Sequence, residues 1–453
     1  MATPPIRSYM PAKSTPLASG EPAAAASAGP LACPPARPSG PPRRPGALYV
    51  WQGDYPWDVR VEKIVRALTA AGFDTHVAAR NRRWSATTEV LPEAVTHRLP
   101  PWRWAGRRLD GALQAPIPIN PRWVGHLAET VRRTRPGVII ARDVPLAPTA
   151  IWTGRRFGIP VVLDLAENYP AMLEDIWTAS RQRPWDVLVR NPRAAAALET
   201  YVVRRAAHVV VVVEENAERV AQLGVSRERI TVVSNTPPRR RAEQGGARAA
   251  RRATGRLEIV YLGILELPRG LVEAIDAVRI LRARSVSARL TVIGTGRDAA
   301  QLHAHARAAG LSDDDVLFTG YVPRHEDALR LVAAADVGIV PSRATEQWQT
   351  SIANKLFDYM AAGLAVVTSD AAPSARVVRE TGAGEVFRAG DAGDLAEALL
   401  RLRDAEVRRA AGEAGRQAIL ARYNWERDAD AFCRVVEAVL RDAAVGRDAR
   451  GSA

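Results

Sequence analysis

This sequence predicts two parallel-sheet α/β domains facing a central cleft. Three observations carry that expectation. Short β-branched runs alternate with amphipathic helical stretches from Ala47 to Asn235. The alternation stops at an Arg/Gly/Ala-rich stretch and starts again at Leu257. The chain, at 453 residues, is long enough for two such units. Buried strands alternating with helices imply a parallel sheet covered on both faces. Two such halves joined by a linker place a ligand between them, at the carboxyl ends of the strands.

Residues 1–45 are rich in Pro, Ala, Ser and Gly and cannot bury enough apolar surface to order themselves. The first domain, residues 46–235, opens with the strand Ala47–Trp51 and a loop, QGDYPWDVRV. An amphipathic helix, VEKIVRALTAAG, follows and closes at Gly72. The next strands are Phe73–Ala79, Gly137–Arg142, Pro160–Asp164, Arg205–Val213 and Ile230–Asn235, with helical patterns at Thr149–Phe157 and Leu198–Val203. A basic linker spans 236–256. The second domain, residues 257–422, alternates strand Leu257–Gly263, helix 270–284, strand Ala288–Gly294 and helix 298–309. It continues with strand Val316–Gly320, helix 324–334 and strand Val337–Val340. Helical patterns at roughly 393–416 and 425–442 end the periodic sequence, the second expected to pack back on the first domain; residues 443–453 read as a disordered tail.

Charge and cysteine content exclude several classes. The net charge is +14, but residues 1–45 carry five Lys or Arg against one acid, and 239–256 carry seven Arg against one Glu. Ten of the fourteen net charges therefore lie in two segments without a core-forming pattern. That suits solubilising segments or contact with an anionic membrane surface better than a nucleic-acid groove. The two cysteines, Cys33 and Cys433, make neither a disulfide framework nor a metal site, which fits a reducing, cytoplasmic setting. No apolar run approaches membrane-spanning length.

The stretch Thr350–Asp370, TSIANKLFDYMAAGLAVVTSD, combines features a nucleotide needs. Thr350 or Ser351 can cap a helix that Gly363 ends, with Ile352, Leu356, Phe357, Tyr359 and Met360 on one face. Lys355 and Asp358 fall near each other on the other face. A helix start with free N–H groups, a cation and a carboxylate could hold a diphosphate and a ribose. The same spacing also suits an amphipathic helix with a solvated Lys–Asp pair.

The order of motifs is more specific. Tyr261-Leu262-Gly263 with Arg269-Gly270 precedes Val292-Ile293-Gly294-Thr295-Gly296, Phe318-Thr319-Gly320-Tyr321-Val322-Pro323, Ala335-Asp336-Val337-Gly338-Ile339-Val340-Pro341 and Lys355–Gly363. Asp54–Val61 and Asp164–Pro170 add matches in the first half. This series resembles the family-4 glycosyltransferases of the GT-B fold (group 1 glycosyltransferases), above all those with a KLFEYMAAG-type helix. The resemblance implies that Asp358 holds the donor ribose and that Ala353, Asn354 and Lys355 cradle the diphosphate. Arg269 would neutralise the leaving group, Gly263, Gly294 and Gly296 would line or turn the diphosphate loops, and the backbone at Val322 would face the base. At Gly294 and Gly296, close approach of a ligand and a tight turn alone are equally compatible.

Three positions depart from the pattern. Thr350 stands where the family has the first acid of its E-x7-E motif, Ile264 where an Arg often follows the loop glycine, and Ala166 where a His is common. Asp164 and Glu167 remain as candidate polar groups of the first half. Glu167 could act on the acceptor hydroxyl or cap a helix.

The implied activity is a retaining, metal-independent transfer of a sugar from a nucleotide-sugar to a glycan or lipid-linked acceptor. No other cofactor is implied, nor a nucleic-acid partner. A peripheral contact with anionic membrane on its inner face would follow from the basic segments. Alternatives of the same fold are a nucleotide-binding partner subunit without activity and a sugar-nucleotide epimerase.

Overall fold

The computed structural model describes residues 44–179, 190–245 and 255–451. The expected tail, apart from its last two residues, and residues 246–254 of the linker lie outside the described residues. From Arg43 to Ala453 the chain forms one unit holding two Rossmann-like parallel sheets, the GT-B architecture.

The first sheet runs in the order β3-β4-β2-β1-β5-β6-β7-β8. Its strands are β1 (Arg44–Trp51), β2 (Phe73–Ala79), β3 (Thr88–Val90), β4 (Val95–Arg98), β5 (Val138–Arg142), β6 (Val161–Leu165), β7 (His208–Val211) and β8 (Ile230–Val232). All neighbours are parallel except β3 and β4. Every β5 residue is buried: Ile139 and Ala141 enter one core and Val138 and Ile140 the other. That two-residue alternation between two cores is what a sheet covered by helices on both faces requires.

The second sheet runs β11-β10-β9-β12-β13-β14, all parallel. Its strands are β9 (Leu257–Leu262), β10 (Ala288–Ile293), β11 (Val316–Gly320), β12 (Val337–Val340), β13 (Ala365–Ser369) and β14 (Gly384–Phe387). The strand order reverses at β9/β12, and at β1/β5 in the first sheet. Neighbouring loops diverge at such points and open a crevice.

Several elements differ from the sequence reading. Residues 80–136 hold β3, β4 and the helices Gly106–Leu113 and Pro121–Thr134. The second of these carries an Asn120 cap and a proline at its start, a start signal the apolar pattern alone did not expose. The expected helix 393–416 is two, Ala392–Arg401 and Ala405–Ala421, because Asp404 accepts from the Glu406 and Val407 amides and starts a new one. The linker contains the helix Arg239–Gly245, whose Ala242 is buried in the core of the second half. The last helix runs from Trp425 to Gly451, past the expected end at 442. Its Phe432, Val435, Val436 and Val439, spaced as one helical face, pack with Ile64, Leu68 and Ile140 of the first half.

Direct bonds join the two halves. Arg376 holds Glu215 through two N–O contacts of 2.7 and 3.1 Å. Thr345 donates to Asp175 at 2.8 Å.

Candidate active site

A cleft of ≈ 790 Å³ lies between the halves at the strand ends. One wall comes from Trp57, Asp58, Arg60, Arg142, Glu167 and Asn235; the other from Gly263, Glu266, Arg269, Arg297, Gln347, Trp348, the run Ser351–Lys355 and Asp358.

The helix Asn354–Ala361 points its start into this cleft. Its capping residue, Ala353, is extended and offers no side-chain acceptor, so the amides of the first turn are not satisfied by a cap. Thr350 and Ser351 therefore do not cap it; the helix begins after them, and the short helix Glu346–Gln349 precedes them. Gly363 has φ 68°, the left-handed turn expected past the helix end.

Lys355 stands at this start. Its ammonium sits 3.6 Å from the centre of the Tyr261 ring and 2.9 Å from where a β-carbon on Gly263 would be. A side chain at Gly263, whose φ is 146°, would therefore displace it. Burial and then the nearby Arg269 guanidinium hold the Lys355 ammonium well below its ordinary range. Arg269 pairs with Glu266 at 3.3 Å and lies 5.6 Å from the Trp348 ring centre. Two half-buried cations facing one cleft make a site for a dianion.

Asp358 lines the cleft one helical turn further on and accepts from Arg241 at 2.8 Å. Burial raises its carboxyl, while Arg241, His325 and Lys63 draw it down. Arg241 belongs to the basic stretch read as linker; in the structure it is a partner of the ribose candidate.

The remaining candidates divide. Glu167 reaches the cleft, where Gln347 donates to it at 3.4 Å. Burial raises its carboxyl, against the pull of Arg142 and Arg269. Asp164 does not reach it. That carboxylate is fully buried and accepts from Tyr49 at 2.6 Å, Arg60 at 2.6 Å and Arg142 at 3.4 Å. Burial alone would raise its carboxyl, but the two guanidiniums outweigh it and hold it below the usual range. It anchors Arg60 and Arg142, which do line the cleft.

Thr350 is turned away as well: its hydroxyl accepts from Asn168 at 3.0 Å and donates to the Glu346 carbonyl at 2.9 Å. The departure from the family acid is thus a bond between the two halves. Gly294 and Gly296 pack on the backbone of Gly263 and Leu265, which a β-carbon at either would strike, so they serve the turn. Val322 is partly buried against the core that holds Leu356, Phe357, Tyr359 and Met360 and is not among the residues lining this cleft. Ala353 and Asn354 do.

Sequence reasoning missed Arg241, Gln347 and Ser351. The Ser351 hydroxyl is buried, lines the cleft and has no hydrogen-bond partner. Its only signal in the sequence was its place beside the helix start. Among the described residues, no group of three or more His, Cys, Asp or Glu side chains could hold a metal ion.

Known proteins match this arrangement in both halves. The family described as glycosyl transferases group 1 matches residues 256–404, and the glycosyl transferase 4-like domain matches residues 58–236. A glycogen synthase of Mycobacterium tuberculosis is 27% identical over 322 residues, covering 69% of this chain and 71% of that protein. A phosphatidyl-myo-inositol mannosyltransferase of Mycobacterium leprae is 33% identical over 184 residues, covering 40% of this chain and 46% of that protein. HepE of Anabaena in complex with UDP-glucose superposes with a TM-score of 0.63 at 14% identity, covering 87% of this chain and 100% of that one. With both halves matched in order and the GT-B architecture shared, the chain belongs to the group 1, family-4 glycosyltransferases.

Proposed function

We propose that this chain moves a sugar from a nucleoside-diphosphate donor to a glycan or lipid-linked acceptor, with retention at the anomeric carbon and without a metal or other cofactor. The observation that carries this reading is the convergence of Lys355, Arg269 and an uncapped helix start in the cleft that also holds Asp358. Negative charge grows on a departing diphosphate, so cations and amides already in place stabilise the transition state more than the ground state. Asp358 offers a carboxylate to the ribose hydroxyls. UDP-glucose in the similar Anabaena structure supports a nucleotide-sugar donor. The names of the two relatives support a glycan or a lipid-linked acceptor.

Asp164 is withdrawn from the cleft by Tyr49, Arg60 and Arg142, and the Asp58 carboxylate accepts from the Val61 amide, so both are engaged elsewhere, which supports front-face substitution over a covalent intermediate. The acceptor oxygen bonds to the anomeric carbon on the face the diphosphate leaves. The bond from that carbon to the diphosphate oxygen breaks, and the acceptor proton passes to the departing phosphate. On this reading the protein works in the cytoplasm, with donor and acceptor rather than nucleic acid as partners.

The test is donor consumption by the purified chain, with NMR of the first-formed product. Acceptor-dependent consumption and an unchanged anomeric configuration are expected. An inverted product would overturn the mechanism, and donor conversion without acceptor would indicate an epimerase. Thr350, bonded to Asn168 where the family has an acid, favours a second reading as a nucleotide-binding partner subunit. Tight nucleotide binding without any consumption would support it.

A further inference from the structure

We infer that the segment between β4 and the helix Pro121–Thr134, residues 99–120, docks this protein on an anionic lipid bilayer. Its exposed side chains include Trp104 (77%), Ile119 (71%), Leu109 (51%), Trp102 (40%) and Ile117 (40%). Trp102 and Trp104 stack on each other with ring centres 5.6 Å apart. Arg103, Arg107 and Arg108 are exposed among them.

The one acid of the segment is buried. Asp110 accepts from Trp84 at 2.8 Å, the Trp102 amide at 2.9 Å, Gln114 at 2.7 Å and Arg122 at 2.9 Å. That knot turns the only negative charge inward, neutralises it with Arg122 and ties the helix Gly106–Leu113 to its neighbours. The outer surface is left apolar and cationic.

Five large apolar side chains within eighteen residues exceed the scattered exposure normal for a water-facing surface. Their chemistry selects the occupant. Tryptophans sit at headgroup level with ring bodies in the acyl boundary, aliphatic side chains go deeper, and arginines reach phosphates by their long stems. A protein partner would not need cations alone around such a patch; an anionic bilayer complements them.

The sequence had placed membrane contact in the tail and the 239–256 stretch. One charge of that stretch, Arg241, is committed to Asp358, and its helix is anchored through Ala242. Most of the tail and residues 246–254 lie outside the described residues, whereas the segment 99–120 is a described surface of apolar and cationic side chains. The inference concerns where the protein sits and does not depend on the transfer reaction.

Flotation of the full chain with phosphatidylcholine vesicles, with and without phosphatidylglycerol, tests it. Binding to the anionic vesicles and a blue shift of tryptophan emission are expected. The double variant Trp104→Ser/Leu109→Ser should lose at least about tenfold in vesicle affinity, from the lost burial of two large side chains. Its melting temperature and its shift with UDP should match the parent, since neither side chain is in the core. Replacing Arg103, Arg107 and Arg108 by Gln should weaken binding most at low salt. Binding that survives the double variant unchanged would assign the contact to the tail and overturn the inference. So would absence of vesicle binding by the parent, or a patch that proves to drive self-association by light scattering while leaving vesicle binding intact.

Discussion

Arg241 donates from Nη1 to Oδ1 of Asp358 at 2.8 Å, joining the stretch between the domains to the helix at the cleft. The guanidinium fixes one carboxylate oxygen and leaves the other free. Replacing Asp358 with Ala should weaken nucleoside-diphosphate binding by about 1.5–3 kcal/mol, the range for hydrogen bonds to a charged group. Pyrophosphate, which has no ribose, should bind nearly as before. Calorimetry showing equal loss for both ligands would place Asp358 in the diphosphate site instead.

Lys355 makes donor binding depend on pH. In the free protein, burial and Arg269 depress its ammonium; a bound diphosphate would raise it again. Binding should therefore take up a proton between those two values. Affinity is greatest below the free-state value and falls as pH rises through the window to the bound-state value. Calorimetry in buffers of different ionisation enthalpy should detect the uptake, and Lys355→Met should abolish it. Equal heats across buffers for the parent would show that Lys355 does not meet the phosphates.

Arg269→Ala should lower kcat by more than it weakens donor binding, because its partner gains charge in the transition state. Glu266 would lose its closer ion-pair partner and keep only Arg297 at 3.8 Å, so folding should be confirmed by melting temperature. A change in KM with kcat intact would assign Arg269 to ground-state binding only.

Ser351→Ala separates a ligand contact from a structural one. The hydroxyl is buried without a partner, so removing it should leave the free protein as stable or slightly more so. Donor affinity should drop by about 1 kcal/mol, the usual net worth of a hydrogen bond. A lower melting temperature with unchanged donor affinity would contradict this assignment.

The histidines packed between β4 and the helix Pro121–Thr134 should cost stability in mild acid. Burial holds His126 down to about 4, opposed by its bond to the His97 carbonyl. His97 is also held at about 4, by burial and then by His76, Arg133 and His126. An unfolded chain binds these protons near pH 6.5 and the folded one does not, so the histidines' share of stability is full above about pH 6.5 and is lost as pH falls toward 4. Asp143 and Asp428, whose carboxyls burial raises to about 6, act in the opposite sense over the same window, so the comparison that isolates the rings is parent against His97→Gln. The parent's melting temperature should fall relative to that of His97→Gln as pH drops from about 6.5 toward 4; a constant difference between the two would mean that His97 is protonated in the fold at no cost.

The alternation of β-branched runs with amphipathic helices was enough to read two parallel sheets, because strand and helix periods are local properties. That Lys355, Asp358 and Arg269 line one cleft was legible for a related reason: each lies in a short motif carried by the resemblance. What lay beyond reach depends on pairs distant in sequence. Asp164 looked free for chemistry until Arg60 and Arg142 closed on it. Thr350 looked like a lost acid until Asn168, 182 positions away, was found bonded to it. Arg241 was one arginine in a run of three, and Asp110 lay in a stretch without a periodic pattern, until packing gave the first to a carboxylate and buried the second. Local periodicity determines which segments become strands and helices. Which charges cancel, which hydroxyl remains unpaired and which tryptophans stay outside is decided only when the two sheets and their loops meet, since burial and partner choice are properties of the assembled chain.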